Sequence, residues 1–225
     1  MKNLQQHAEN IRRTIIEQSF KDQTGHVGSC LSCVEILTAL FFKIMKKGDI
    51  FILSPGHKAL ALYATLKEKG IIKKINVKKL GGHPIRNPQV GIPVSTGSLG
   101  HGLSLGIGFA IANPKKKVYV LLSDGDMDEG STLEAIYFIQ DNNIKNIFGI
   151  VDCNGWSACK EKKQIATIDH GHDTKVLSRL LGRYYFAFIK TIKGKGLPRF
   201  ENKLESHYKK VTKEDYEEHL RNNPA

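Results

Sequence analysis

No stretch of the 225 residues approaches the 18 or more apolar positions that a membrane-spanning helix needs, and the polar amino-terminus lacks the apolar segment of a secretory leader. A cytoplasmic protein with no membrane partner is the expectation. Cysteine is scarce. The four, at positions 30, 33, 153 and 159, are too few to staple a chain of this length, so reduced thiols are expected. His26, Cys30 and Cys33 could be drawn together around zinc. Leu31 to Leu40, however, reads as a helix with an apolar face, which makes Cys33 a small core residue; Cys153, directly after an apolar strand, reads the same way. Carboxylates are also few: 22 Asp and Glu stand against 34 Lys and Arg, a net charge of +12. Clustered, that excess would point to nucleic acid. Here the lysines are spread along the chain, with short runs only at Lys115 to Lys117 and Lys160 to Lys163. A solvated basic surface that favours anionic small molecules is the simpler reading, with no nucleic-acid partner.

What is present alternates between helix-like and strand-like segments. Apolar periodicity predicts helices over Leu4 to Ser19, Leu31 to Met45, Ala59 to Lys69, Gly100 to Ala112, Ser131 to Asp141 and Val176 to Leu181. Short β-branched runs predict strands over Phe51 to Leu53, Val118 to Leu122, Ile147 to Val151 and Phe186 to Ile192. This is the pattern of an α/β fold, a doubly wound parallel sheet with helices on both faces. The length suits one domain, 1–210, followed by a charged tail, 211–225, expected to be a fraying helix. The glycine-rich stretch Gly97 to Gly108 is not a dinucleotide turn, because no strand precedes it.

The most informative segment runs from Ser123 to Trp156. Asp124-Gly125-Asp126 follows one predicted strand, and Asn154-Gly155-Trp156 follows the next, thirty residues after Asp124 with a helix between. Parallel strands end on one edge, where open α/β sheets bind ligands, so Asp124 and Asn154 should emerge side by side. Their oxygens suit Mg2+, a hard cation commonly held by one or two protein groups plus phosphate and water. Gly125 lets backbone approach a phosphate closely. Asp-Gly at a strand end is on its own an ordinary turn. With the full spacing, the segment resembles the thiamine diphosphate signature, in which Gly-Asp-Gly precedes an Asn by about thirty residues; Ser123 stands where the first glycine would be.

Further landmarks narrow the resemblance to transketolases. Thr24-Gly25-His26-Val27-Gly28-Ser29 is similar to their early Gly-His turn, Leu53-Ser54-Pro55-Gly56-His57 to Leu-Ser-Xaa-Gly-His, and Gly82-His83-Pro84 to Gly-His-Pro. Ser95-Thr96-Gly97-Ser98-Leu99-Gly100-His101-Gly102 resembles a Thr-Gly-Pro/Ser-Leu-Gly motif; Lys193-Gly194-Lys195-Gly196 and His207 match more loosely.

The resemblance implies roles residue by residue. Asp124, Asn154 and the main-chain carbonyl of Trp156 would hold Mg2+; His57, Ser123, Gly125 and Asn154 would hold the diphosphate; Ser98 and Leu99 would face the aminopyrimidine. His26 and His83 would line the substrate channel as proton-handling groups, joined by His207, and Glu129 would belong to a carboxylate relay between paired cofactor sites. It also implies what is missing. Longer transketolases carry a pyrimidine-binding and a C-terminal domain after this one, so this chain is expected to be the N-terminal subunit of a two-chain enzyme. A C-terminal, pyrimidine-binding subunit would complete a heterotetramer acting on sugars or sugar phosphates. Between Trp156 and Ile192 the family stretch is longer, whereas here Asp169-His170-Gly171-His172-Asp173 arrives early, as a turn into a helix from Thr174 or as a metal cluster. The shortening leaves room for a modified or nucleotide-linked sugar. Another thiamine diphosphate enzyme, such as a decarboxylase or a deoxyxylulose phosphate synthase relative, is the alternative activity, and a non-catalytic regulatory or scaffolding paralogue the alternative of another class.

Overall fold

The structure, a computed structural model, describes residues 3–157 and 167–222. Helix α1 (Leu4–Asp22) starts on a reciprocal cap between Asn3 and Gln6 and stops where Gln23 turns left-handed. Two short helices follow, α2 (Val27–Ser32) and α3 (Val34–Ala39), the latter running into a π turn over Leu40–Ile44. A single helix was expected here; it breaks at Cys33, directly after Ser32 turns its hydroxyl towards Asp152. The chain continues through β1 (Ile50–Leu53), α4 (Ala59–Glu68), α5 (Val77–Leu80), α6 (His101–Ala112), β2 (Val118–Ser123), α7 (Gly130–Asp141), β3 (Ile147–Cys153), α8 (Thr174–Leu180), β4 (Phe186–Lys190) and α9 (Lys213–Asn222).

The four strands form one parallel sheet in the order β1-β2-β3-β4, with Leu53 beside Leu121 and Ser123 beside Asp152. Successive side chains of a strand face opposite ways. Phe51, Leu53, Tyr119, Leu121, Phe148 and Ile150 therefore meet α1, α3, α4 and α8 on one face, while Ile52, Val118, Val120, Leu122 and Val151 meet α6 and α7 on the other. Both faces are covered, which is why the strands read as continuous apolar runs. β4 ends two residues earlier than periodicity suggests, because the Ile192 N–H leaves the sheet to donate to His172 Nε2 at 2.8 Å.

Helix α9 packs on α1: Tyr216 stacks on Phe20, and Val211, Asp215 and His219 are buried. Cys30, Cys33 and Cys153 are buried and free, and Cys159 lies outside the described residues. Among the described residues no helix is long and apolar enough to cross a membrane.

Candidate functional site

At the carboxyl edge of the sheet Asp124 and Asn154 touch. Asp124 Oδ2 accepts the backbone N–H groups of Asn154 at 2.8 Å and Gly155 at 3.1 Å. The Asn154 amide donates to Ser32 Oγ at 3.3 Å, and its oxygen accepts the Trp156 N–H at 3.1 Å. Residues from the two ends of the β2–α7–β3 unit thus form one cluster of hard oxygen donors. Burial, aided by the neighbouring Asp152 charge, pushes the Asp124 carboxyl up to about 6. A buried carboxylate held this way favours a cation beside it.

Next to this cluster is a small cavity of about 60 Å³, walled in part by His57, Lys58, Leu99, Ser123, Asn154 and His207. Gly125 and Ser29 also line it. A Cβ on Gly125 would come within 2.9 Å of Leu99, so glycine there keeps the cavity open. Ser123 lines the cavity too, but its N–H and hydroxyl are both turned to Asp126 Oδ2, at 2.9 and 2.8 Å.

Four charged groups that sequence reasoning left without a role build the site from behind. Asp152 is fully buried. It accepts from Ser32 Oγ at 2.5 Å, from Thr191 Oγ1 and from Lys58 Nζ, fastening α2, the turn after β1 and the exit of β4 to the end of β3. Burial opposes a charge on Lys58, but the Asp152 carboxylate outweighs it and holds the lysine above its usual range. Asp126 performs a similar service on the other side. Its Oδ1 accepts from Ser54 Oγ at 2.5 Å and from the Gly100 N–H at 3.0 Å, tying β1 and the start of α6 to β2. Lys193 is 1% exposed and its ammonium has no hydrogen-bond partner; it lies 5.9 Å from the centre of the Trp156 ring. Burial, then the charge of Lys58, lowers it to about 8. A buried ammonium with no hydrogen-bond partner has donors left for an anionic ligand. Its sequence signal was a lysine opening a glycine-rich turn just past a strand.

The histidines converge above the cavity. The His26 ring centre lies 5.4 Å from that of His57, 6.4 Å from His83 and 4.6 Å from His207. His26 sits in the left-handed region at φ 63°, its N–H donating to the His207 carbonyl at 2.8 Å, and its Nδ1 is buried without a partner. Burial lowers all three inner rings, with help from nearby positive groups: His57 to about 2, His207 to about 4, and His26 below its usual range. These rings are neutral donors and acceptors at neutral pH. The exposed His83 ring lies against Gly56 and Gly97, and a Cβ on Gly56 would come within 2.8 Å of it.

Ser98, Leu99 and Glu129 lie on the other rim. Ser98 is exposed and Leu99 half-buried; Glu129, also exposed, directly precedes α7 without a side-chain capping bond, its side chain beside Gly100. Beyond this rim α6 and α7 carry exposed Leu105, Ile111, Leu133, Tyr137 and Phe138. Asp169, His170, His172 and Asp173 do not gather. Asp169 pairs with Lys190, His172 bonds Glu35, and Asp173 caps α8, while no metal-holding cluster of His, Cys, Asp and Glu forms among the described residues.

Fold and site together define a parallel α/β domain with a small polar pocket at the carboxyl edge of its sheet. Residues 4–176 match the transketolase family's thiamine diphosphate-binding domain, and the chain belongs to that family. It is 32% identical to one of the subunits of the apulose-4-phosphate transketolase of Phocaeicola vulgatus, covering 98% of this chain and 94% of that one. It is 31% identical to a 6-deoxy-6-sulfo-D-fructose transketolase subunit of a Clostridium species, covering 94% and 93%. The fold matches the transketolase of Leishmania mexicana with a TM-score of 0.83 at 21% identity, over 99% of this chain and 41% of that one. Against the Campylobacter jejuni transketolase the TM-score is 0.79 at 23% identity, over 99% and 43%. The chain spans nearly the whole of the two subunits but only about two fifths of the solved transketolases.

Proposed function

We propose that this chain is the N-terminal subunit of a two-component, cytoplasmic transketolase. It would grip the magnesium diphosphate end of thiamine diphosphate and, with a C-terminal pyrimidine-binding subunit, transfer a two-carbon ketol unit from a ketose to an aldose. The observation that carries this reading is the contact between Asp124 and Asn154 beside a cavity lined by His57 and Trp156, with the unpartnered ammonium of Lys193 5.9 Å from the Trp156 ring centre.

In this assignment Asp124, the Asn154 side-chain oxygen and the Trp156 carbonyl hold Mg2+. Lys193 and His57 hold the diphosphate, with Gly125 allowing close approach. When bound, the cofactor supplies the electron sink that stabilises the carbanion of the transferred unit. The protein's own groups position substrate and move protons. His26 and His83, at the cavity mouth, hydrogen-bond donor hydroxyls and take up or return a proton at the oxygen that becomes a carbonyl, a task for which a neutral imidazole is suited. His207 buttresses His26 through its carbonyl and ring. Ser98 and Leu99 offer backbone to the pyrimidine, and Glu129 faces the partner side.

Two features support a partner. The exposed apolar side chains on α6 and α7 form a face of the kind that subunits cover, next to the rim that carries Glu129. The relatives of matching length are themselves named as transketolase subunits. Their names specify a phosphorylated and a sulfonated sugar. An anionic ketose is accordingly the donor class we assign, consistent with the +12 charge. Calorimetry tests the reading: the isolated chain should bind magnesium thiamine diphosphate weakly, and addition of the pyrimidine-binding partner should tighten binding and start ketol transfer. Tight binding by the chain alone would overturn the two-chain division of the site.

A further inference from the structure

We infer that a second anion site lies at the opposite, amino-terminal edge of the sheet, built for a small molecule carrying two or more phosphoryl groups. A groove of about 500 Å³ opens there, and six cations converge on it: Lys43, Lys46, Lys115, Lys117, Arg179 and Arg183. They come from three separate segments, the end of the π turn after α3, the loop before β2 and the end of α8, so folding rather than a lysine run assembles them. Among the described residues Asp49 is the only carboxylate lining the groove. Its single charge offsets at most one of the six, and its oxygens accept the backbone N–H groups of Lys46 at 2.8 Å and Lys117 at 3.2 Å rather than a lysine or arginine side chain. Among the described residues none of the six forms an ion pair with a carboxylate. Lys117 instead lies over the Phe148 ring.

Six like charges gathered in one concavity repel one another, and an entering polyanion relieves that repulsion. The volume falls within the range of roughly 300–1,000 Å³ typical of small-molecule sites. Buried Tyr119 and Leu181 give the groove a floor against which a compact ligand body can rest, whereas a nucleic-acid strand needs an extended charged track. The groove is separate from the cofactor cavity. The six-residue β2 lies between them, about 20 Å at roughly 3.3 Å per residue. The inference therefore stands independently of the transketolase assignment.

The test uses the full chain with inorganic tripolyphosphate as probe, in calorimetry and thermal unfolding, against sodium chloride at matched ionic strength. Tripolyphosphate should bind and raise the unfolding temperature beyond the salt control. Arg179→Glu/Arg183→Glu, and separately Lys115→Glu from another segment, should weaken it at least about tenfold, since each removes a charge-assisted bond. Neither variant should change magnesium thiamine diphosphate binding in the assembled complex. Displacement of the probe by a nucleoside triphosphate or by a sugar bisphosphate supports the site, and the tighter competitor names the source. The inference is overturned if matched salt stabilises as much, if both variants bind the probe unchanged, if neither competitor displaces it, or if single-stranded oligonucleotides displace it with affinity rising with length.

Discussion

Replacing Lys58 with methionine removes the cation paired with Asp152 while filling most of the same volume. Both side chains are buried, at 1% and 0% exposure, so water cannot screen what remains. Breaking one side of a buried ion pair costs about 3–5 kcal/mol. Asp152 keeps the hydroxyls of Ser32 and Thr191, which places the expected loss near the lower end, about 3 kcal/mol. For a domain of this size each kcal/mol moves the unfolding temperature by about 2–4 °C, so a drop of roughly 6–12 °C is expected. The double variant Lys58→Met/Asp152→Asn discards the charge at both ends and should recover much of that loss. Chemical and thermal unfolding of the three proteins give the energies. The single variant should also weaken cofactor binding in the assembled complex, because Asp152 fastens the segments that carry His57, Asn154 and Lys193. A single-variant loss below about 1 kcal/mol would refute the argument, since an exposed pair is worth no more than that. So would a double variant no more stable than the single one.

Asp124→Ala should abolish cofactor retention by the assembled complex, measured by cofactor content after gel filtration; full activity would sink the metal assignment. Lys193→Met should raise the dissociation constant for thiamine diphosphate at least about tenfold, by loss of a charge-assisted contact, while leaving the fold intact by circular dichroism. His26→Ala and His83→Ala should keep the cofactor and lose about 10²- to 10⁴-fold in ketol transfer, as removal of one positioned acid or base does. Loss of cofactor in step with activity would make them structural groups. Stability should fall as pH drops from about 6.5 towards 4. His57 and His207 are depressed to about 2 and about 4, so in this window these two groups bind up to two more protons in the unfolded chain, while Asp124, raised to about 6, binds up to one more in the folded chain. The two histidines contribute a slope of up to about 2.7 kcal/mol per pH unit, of which Asp124 cancels about half below pH 6, and His207→Gln should flatten what remains in urea titrations at pH 5 and 7.

The strands were legible because burial on both faces writes unbroken apolar runs, and the parallel sheet then dictates where their ends meet. The contact between Asp124 and Asn154 follows from that alone: two strand ends, one helix between them and a shared edge. What could not be read are groups whose meaning lies in a distant partner. Lys58 and Asp152 are 94 positions apart, and a lysine after Gly-His reads as a solvated residue until Asp152 is seen beside it. Asp126 looked like the tail of a turn because the residues it fastens, Ser54 and Gly100, lie 72 and 26 positions away. The helix over Leu31 to Met45 was misjudged in the same way. Its apolar periodicity runs through, but Ser32 is drawn to Asp152, and the chain leaves helical geometry at Cys33.

These unseen groups also explain how the site would select its cargo. Asp124 and Asp152 carry two negative charges, Lys58 and Lys193 two positive ones, and all four side chains are buried. A magnesium ion entering alone would leave an uncompensated dication in a low-dielectric site, and a diphosphate entering alone an uncompensated polyanion; each is costly. Together they nearly cancel, so the balanced site favours the complex over either component. Binding coupling is reciprocal, so magnesium should tighten thiamine diphosphate by the same factor as thiamine diphosphate tightens magnesium. Removing one lysine spoils the balance in a definite direction. Lys193→Met leaves the site net negative, which should weaken the diphosphate and strengthen the bare cation. Opposite shifts in the two affinities would distinguish this electrostatic role from a general loosening of the pocket, which would weaken both.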